Sequence, residues 1–327
     1  MGNNETIRWL LEEDQPSMRY LALTELLGMS DKDSKVKSAK KNIAKKGWAK
    51  EILEIQTPSE TWVNKARIWQ PKYDSPFWRL LVLSDLGLTR EEPTIDRACK
   101  VWIKLFATKD GGFSAFSKKE GHLCITGNMA RALVKFGYED HPKVKGAFQW
   151  LVNNESDKGG WSCWNFGGHR GGRNLDSWEP LSAFAVYPRQ KWTRKMKLAV
   201  ERGAEFFLER ELHKQGTRYE PWYRFHYPHH YYYDLLVGLD FMTALGYSSD
   251  WRLGYALSLL KEKRRSDGRW NLDATNPDPE SPQGKWDRDH PKQASIQLAL
   301  EKPGKPSKMI TLTALKVLKR AGEVSFQ

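Results

Sequence analysis

His226, His229 and His230 fall close together, and Tyr231, Tyr232, Tyr233 and Asp234 follow directly. An imidazole titrates near neutrality and a phenol can hold or donate a proton, so this run reads as acid–base equipment. Asp234 is the candidate proton donor, with His229 or His230 tuning it and Tyr232 or Tyr233 orienting a substrate or cation. Asp240 is the second choice, because a carboxyl desolvated in a cavity has its pKa raised. Pro228 should keep the stretch irregular until the next helix starts.

Similar residues recur at the starts of other apolar helical stretches. One begins with His122, Cys124, Thr126 and Asn128, another with Asp176, Ser177, Trp178 and Glu179, and the last with Ser307, Lys308 and Thr311. Any one of these alone is an ordinary helix cap. Several together, rich in His, Tyr and Asp, suggest a shared ligand site. Helix N-termini favour anions, and Arg131, Arg173, Arg218, Arg224 and Lys308 could add positive charge. Lys308 is expected to pair with an anionic group of the ligand. His226 joins this substrate-binding set, with Trp78, Trp164, Trp178 and Trp222 as an aromatic wall able to stabilise a cation or stack on a ring.

The elements that must position these residues repeat along the chain. Apolar helical stretches end in turns at Gly28, Gly87, Gly137, Tyr187-Pro188, Gly246 and Gly322, mostly about 50–60 residues apart. After most turns comes a more amphipathic helix and then a loop pairing glycine with an aromatic, as in Gly111-Gly112-Phe113, Gly159-Gly160-Trp161 and Gly268-Arg269-Trp270. Gly216-Thr217-Arg218-Tyr219 is a looser copy. A helix apolar on nearly all sides is buried, whereas one with a polar stripe faces water. Inner helices ringed by outer ones describe an all-α fold, an α/α toroid (barrel) of about five to six helical hairpins with glycine-aromatic loops. The chain reads as one such domain over 1–327, with 1–59 an atypical first hairpin and 60–327 the repeat region. Trp102, Trp150, Trp161 and Trp270 are expected to wedge between hairpins.

Composition narrows the function. Fifty-three basic against 40 acidic residues leave a net charge of +13. The basic residues are spread along the chain and no nucleic-acid module appears, so a solvated basic surface is the reading and no specific nucleic acid is expected. Peripheral contact with a membrane stays open, although no stretch reaches the roughly 18 apolar residues of a span. Three cysteines (Cys99, Cys124 and Cys163) are too few for a disulfide framework, and the chain's start lacks a signal-peptide pattern. A cytoplasmic location is expected.

The glycine-aromatic repeats resemble the α/α toroid family of squalene cyclases and protein prenyltransferase β subunits, over roughly residues 60–327. The segments His122–Leu133, Tyr219–Asp234 and Lys305–Thr311 are similar to uncharacterised prokaryotic squalene-cyclase-like proteins of the prenyltransferase and squalene oxidase repeat subgroup. The resemblance implies an isoprenoid (terpenoid) enzyme, cyclase-like or prenyltransferase-like, acting on a hydrophobic, diphosphate-bearing substrate in the central cavity. The Asp-x-Asp-Asp acid motif of squalene-type cyclases is missing from the sequence. Prenyltransferases hold zinc with Asp, Cys and His at inner-helix starts, which here correspond to Asp176 and to His229 or His230. Ser177 stands where a thiolate is wanted. Cys124 and Cys163 with His122 or His169 are the alternative zinc ligands. No cofactor is expected on balance, and zinc less than stoichiometric. Two further readings stay open: a non-catalytic lipid- or peptide-binding toroid, and a lyase or hydrolase acting on an acidic polysaccharide. If Asp234 is catalytic, Asp234→Asn abolishes turnover and leaves the thermal midpoint nearly unchanged.

Overall fold

The computed structural model describes residues 2–55, 72–156, 159–162, 178–213, 218–291 and 298–326. These contain α1 (Gly2–Leu10), α2 (Pro16–Leu21), α3 (Ser34–Asn42), α4 (Trp48–Glu54), α5 (Pro76–Asp85), α6 (Pro93–Phe106), α7 (Leu123–Lys135), α8 (Pro142–Asn153), α9 (Trp178–Val186), α10 (Arg194–Leu208), α11 (Leu235–Ala244), α12 (Gly254–Glu262), α13 (Pro282–Asp289) and α14 (Lys308–Arg320). Among the described residues the only β pairing is isolated bridges, and no helix is long and apolar enough to cross a membrane.

Helices α5, α7, α9, α11 and α14 pack each on the next, and α14 packs on α2 and the π-helical turn Ala22–Leu26 that continues it. Gly87, just past α5, closes the circle. A Cβ on it would lie 3.0 Å from the Tyr20 ring of α2. Helices α3, α8, α10 and α12 pair with α2, α7, α9 and α11 on the outside. The architecture is an α/α toroid: five hairpins and a closing inner helix. The chain's two ends meet at the seam, where Lys308 Nζ donates to Trp9 O and Glu12 Oε2, both at 2.7 Å.

Two repeated devices set this geometry. The first stops the inner helices. Gly28, Gly87, Gly137, Gly246 and Gly322 all have φ between 65° and 97°, the left-handed cap that glycine adopts without a Cβ clash. The N–H after each glycine closes the turn, Leu88 to Leu83 O, Tyr138 to Leu133 O, Tyr247 to Met242 O and Glu323 to Leu318 O. At Gly28 the bond runs from Met29 to Leu23 O, one residue further back because the π turn inserts a residue. The Tyr187-Pro188 turn lacks the bond, since proline has no N–H.

The second device ties two of the glycine-aromatic loops to the inner helix that follows. Thr126, one turn into α7, accepts from Phe113 N at 2.9 Å and donates to Phe113 O at 3.1 Å. Thr311 holds the same place in α14, accepting from Trp270 N at 3.0 Å. The loop tryptophans reach back to the preceding outer helix: Trp161 Nε1 donates to Leu151 O and Trp270 Nε1 to Leu260 O. The wedge role expected of Trp161 and Trp270 is therefore a buried hydrogen bond as well as packing.

Close approach of α7 and α9 rests on Gly127. A Cβ there would fall 2.7 Å from Glu179 Cβ and 2.8 Å from its carbonyl carbon. Overpacking of this kind typically costs about 1–3 kcal/mol. Gly127→Ala is expected to destabilise the chain by that amount in urea unfolding, whereas Gly254→Ala, with nothing within 4 Å, is expected to be neutral or mildly stabilising.

Candidate functional site

A segment crosses the N-terminal end of the inner ring and carries most of the residues singled out in the sequence. It starts at the 3-10 turn Glu220–Tyr223 and ends at Asp234, the N-cap of α11. Asp234 Oδ1 accepts from Val237 N at 2.9 Å, and Oδ2 accepts from His226 N at 2.8 Å and lies 3.3 Å from His226 Nδ1. On its other side, His226 Nε2 lies 2.8 Å from Asp278 Oδ2, and Arg224 Nη1 donates to Asp278 Oδ1 at 3.1 Å. His226, Asp234 and Asp278 have no solvent exposure. Burial alone would lower the His226 pKa, but hydrogen bonds to Asp234 and Asp278 overcome it and raise it to about 9.

The neighbouring residues complete this covering. Asn128 of α7 donates to His230 O at 3.1 Å, and Trp178 of α9 donates to Tyr231 O at 3.3 Å. Trp78 of α5 packs edge-on against the His230 ring, and Trp222 edge-on against Tyr233. Tyr233 Oη donates to Leu212 O at 2.8 Å, and Tyr232 Oη meets Ser281 Oγ at 3.3 Å. Trp78, Asn128, Trp178, Trp222, Arg224, His226, His230, Tyr232, Tyr233 and Asp234 thus do gather around one crossing segment. They gather as its fastening. Asp234 in particular caps a helix and grips a histidine, which supports a structural role over proton donation.

Other expected members lie elsewhere. His122 bonds Ser114 Oγ at 2.9 Å and faces the Phe116 ring. Lys308 is committed to the seam through Glu12, with Asp14 at 3.7 Å, rather than to a ligand. Glu179 is buried where α9 meets Gly127. Cys124 is partly buried. Asp176, Trp164, Cys163, Ser177 and His169 lie outside the described residues. Among the described residues, no group of three or more His, Cys, Asp or Glu could hold a metal ion.

The cavity lies inside the ring. It measures about 250 Å³ and is lined by Tyr20, Thr24 and Glu25 from α2 and its π turn, Ser84 and Asp85 from α5, and Arg131 and Lys135 from α7. Trp178 and Ser182 of α9, Val237, Asp240 and Phe241 of α11, and Met309, Leu312, Thr313 and Lys316 of α14 complete the wall. Tyr227 and His229 of the crossing segment, with Trp178 and Met309 at the first turns of their helices, form its floor. Gly87, Thr89 and the exposed Glu25 stand at the other end, where the inner helices finish. The mouth is therefore at the helix C-termini, opposite to the rim expected from the sequence.

Its charges are matched in a fixed pattern. Lys135 Nζ lies 2.7 Å from Asp85, with Arg131 Nη2 at 4.0 Å. Arg320 Nη1 lies 2.7 Å from Asp240, with Lys316 at 3.9 Å, and Lys316 also pairs with Glu25. Burial would raise the Asp85 pKa, but Lys135 and Arg131 outweigh it and lower it to about 2. Burial would likewise raise Asp240, yet Lys316 and Arg320 hold it well below the usual carboxylate range. Asp240 does face the cavity, but the expected upward shift is overturned by two cations from α14. Burial lowers the His229 pKa and raises that of Tyr227 well above its ordinary value, so a neutral imidazole and a protonated phenol stand at the floor. The Arg131 guanidinium lies 5.3 Å over the Trp178 ring.

No protein-family model matches this chain, and no curated protein matches it. Among solved structures, a type II terpene cyclase from Scytonema, in complex with its substrate geranylgeranyl dihydroxybenzoate, is similar at a TM-score of 0.46 and 15% identity, over 95% of this chain and 88% of that one.

The His226 network makes a signed prediction. Its pKa of about 9 in the folded protein exceeds the ordinary value near 6.5, so its stabilisation is complete below about pH 6.5 and fades as pH rises through about 9. Urea midpoints are expected to fall over that window, and His226→Gln should remove that component of the slope. Asp234→Asn is expected to lower stability by about 3–5 kcal/mol, as breaking a buried pair does.

Proposed function

We propose that this protein encloses an amphiphilic molecule of metabolite size in its central cavity. The observation that carries the proposal is a walled space at the ring's centre, with a floor made by Tyr227 and His229 and a mouth at the other end. Tyr20, Trp178, Phe241, Val237, Met309 and Leu312 offer it an apolar and aromatic wall, and the paired charges offer polar orientation, the usual make-up of a ligand pocket.

An isoprenoid substrate draws support from the aromatic wall and a limit from the volume. About 250 Å³ lies below the roughly 300–1,000 Å³ of pockets for drug-sized ligands, which favours a short prenyl chain over a triterpene. Acid-initiated cyclisation draws no support from the cavity, because both aspartates that line it are held ionised. An acidic polysaccharide or an extended peptide would need an open groove, and a space surrounded by six inner helices disfavours both.

The test is to fill the space. Thr313 and Ser182 line the cavity, and their hydroxyls bond back only to their own helices, at Met309 O and Glu179 O. Native mass spectrometry of the protein purified from cells, followed by solvent extraction, is expected to find a bound molecule in the unmodified protein and none in Thr313→Phe, with similar thermal midpoints. Equal retention by both proteins would sink the proposal, as would a ligand-free protein that binds nothing from a metabolite extract.

A further inference from the structure

We infer that the cavity floor is a binding site for a single carboxylate, the head of a ligand whose apolar body points toward the mouth. This rests on the reading that the cavity encloses a small molecule. Three buried polar atoms carry it. Arg131 Nε, Tyr227 Oη and His229 Nε2 have no hydrogen-bond partner, and all three residues line the same cavity. A buried donor left unmatched is costly, so folded proteins seldom leave several together without something that uses them. Each of these groups can donate a hydrogen bond. The Tyr227 and His229 rings are 5.8 Å apart, centre to centre, and Arg131 is close enough to act electrostatically on both.

The least tightly paired cation selects the head group. Over the whole lining Arg131, Lys135 and Lys316 balance Glu25, Asp85 and Asp240, and Lys135 holds Asp85 at 2.7 Å while Arg131 stands off at 4.0 Å. A monoanion matches the loosely paired Arg131, which acts on both Tyr227 and His229. A diphosphate would bring two or three negative charges toward Asp85 in a water-poor space, where like charges repel strongly. Charged hydrogen bonds are the stronger kind, and an arginine beside a tyrosine suits the two oxygens of a planar carboxylate. Above the floor, Val237, Phe241 and Leu312 line space for a ring or short chain.

Calorimetric titration of the intact chain with 4-bromobenzoate and hexanoate, with their amides 4-bromobenzamide and hexanamide, and with inorganic pyrophosphate, tests this. The carboxylates are expected to bind at least tenfold more tightly than the amides and than pyrophosphate. Tyr227→Phe keeps the ring and removes one donor, so it should weaken the carboxylates about tenfold and leave the amides unchanged. Arg131→Met should remove the preference for acid over amide, and thermal midpoints of both variants show whether they remain folded. Bromine anomalous scattering from a soaked crystal should fall in the cavity with the carboxylate toward Tyr227. Equal affinity for acids and amides, tighter binding of pyrophosphate, or a preference that survives both substitutions overturns the carboxylate site while leaving the enclosing cavity standing. Failure of every probe to bind also overturns it, and the extraction experiment on Thr313→Phe then shows whether the enclosing cavity falls with it.

Discussion

The carboxylate of Asp234 holds the molecule's interior in its present form. It ends one helix-capping problem, by accepting from Val237 N, and one loop problem, by accepting from the backbone and side chain of His226. His226 passes the constraint on to Asp278, and Asp278 to Arg224. That chain of partners, buried except at Arg224, lays residues 224–234 across the N-terminal end of the ring. Without it the space between the inner helices would be open at both ends, and Tyr227 and His229 would have no reason to face it. A buried network of this kind is costly when broken and brings little gain over apolar packing when intact, so its value here is geometric: it specifies where a floor lies.

The two ends of the ring differ because their connections differ in length. At the C-terminal ends the inner helices α5, α7, α9 and α11 turn into their outer partners through short connections, mostly glycine-capped, too short to reach over the centre. At the N-terminal ends the chain arrives from an outer helix through longer connections, and the one before α11 covers the opening. Electrostatics follow the same polarity. Inner-helix C-termini converge at the mouth with their partial negative charge, and cations in last turns offset it: Lys135 at the end of α7, and Lys319 and Arg320 at the end of α14. Lys319 donates to Leu26 O, one of those terminal carbonyls. Lys135 with Arg131, and Lys316 with Arg320, then hold Asp85 and Asp240 ionised, which fixes the cavity's chemistry as charge-paired and not acidic.

Local rules made the repeat readable in advance. Glycine at a helix end, an aromatic a few residues past a glycine pair, and a wholly apolar inner stretch each depend on neighbours in sequence, so Gly87, Gly137, Gly246 and the loops at Phe113 and Trp270 announced the toroid. Thr126 and Thr311 stand at helix starts that the sequence offers to a ligand, and only the folded partner loops show that they clamp Phe113 and Trp270 instead. The cluster around residues 226–234 was also recognised as a meeting point. Its contacts with Trp78, Asn128 and Trp178 agree with the idea that inner-helix starts share a level.

What those residues do there was decided by tertiary structure. A sequence shows that His226 and Asp234 are eight positions apart, yet Asp278, far along the chain, turns the pair into a buried bridge. Nothing local to Asp240 says that Lys316 and Arg320 of the closing helix will face it, so a carboxyl expected to hold its proton is held ionised instead. Lys308 looked available for a ligand until the first helix came round to meet it at the seam. Arg131, Tyr227 and His229 could be named as side chains, but their lack of partners is a property of three-dimensional surroundings. Helix starts, stops and buried faces are set by interactions over a few residues, which composition and spacing display. Ionisation, pairing and the open end of a ring are set by residues from 50 to nearly 300 positions apart, and only the closed fold brings those together.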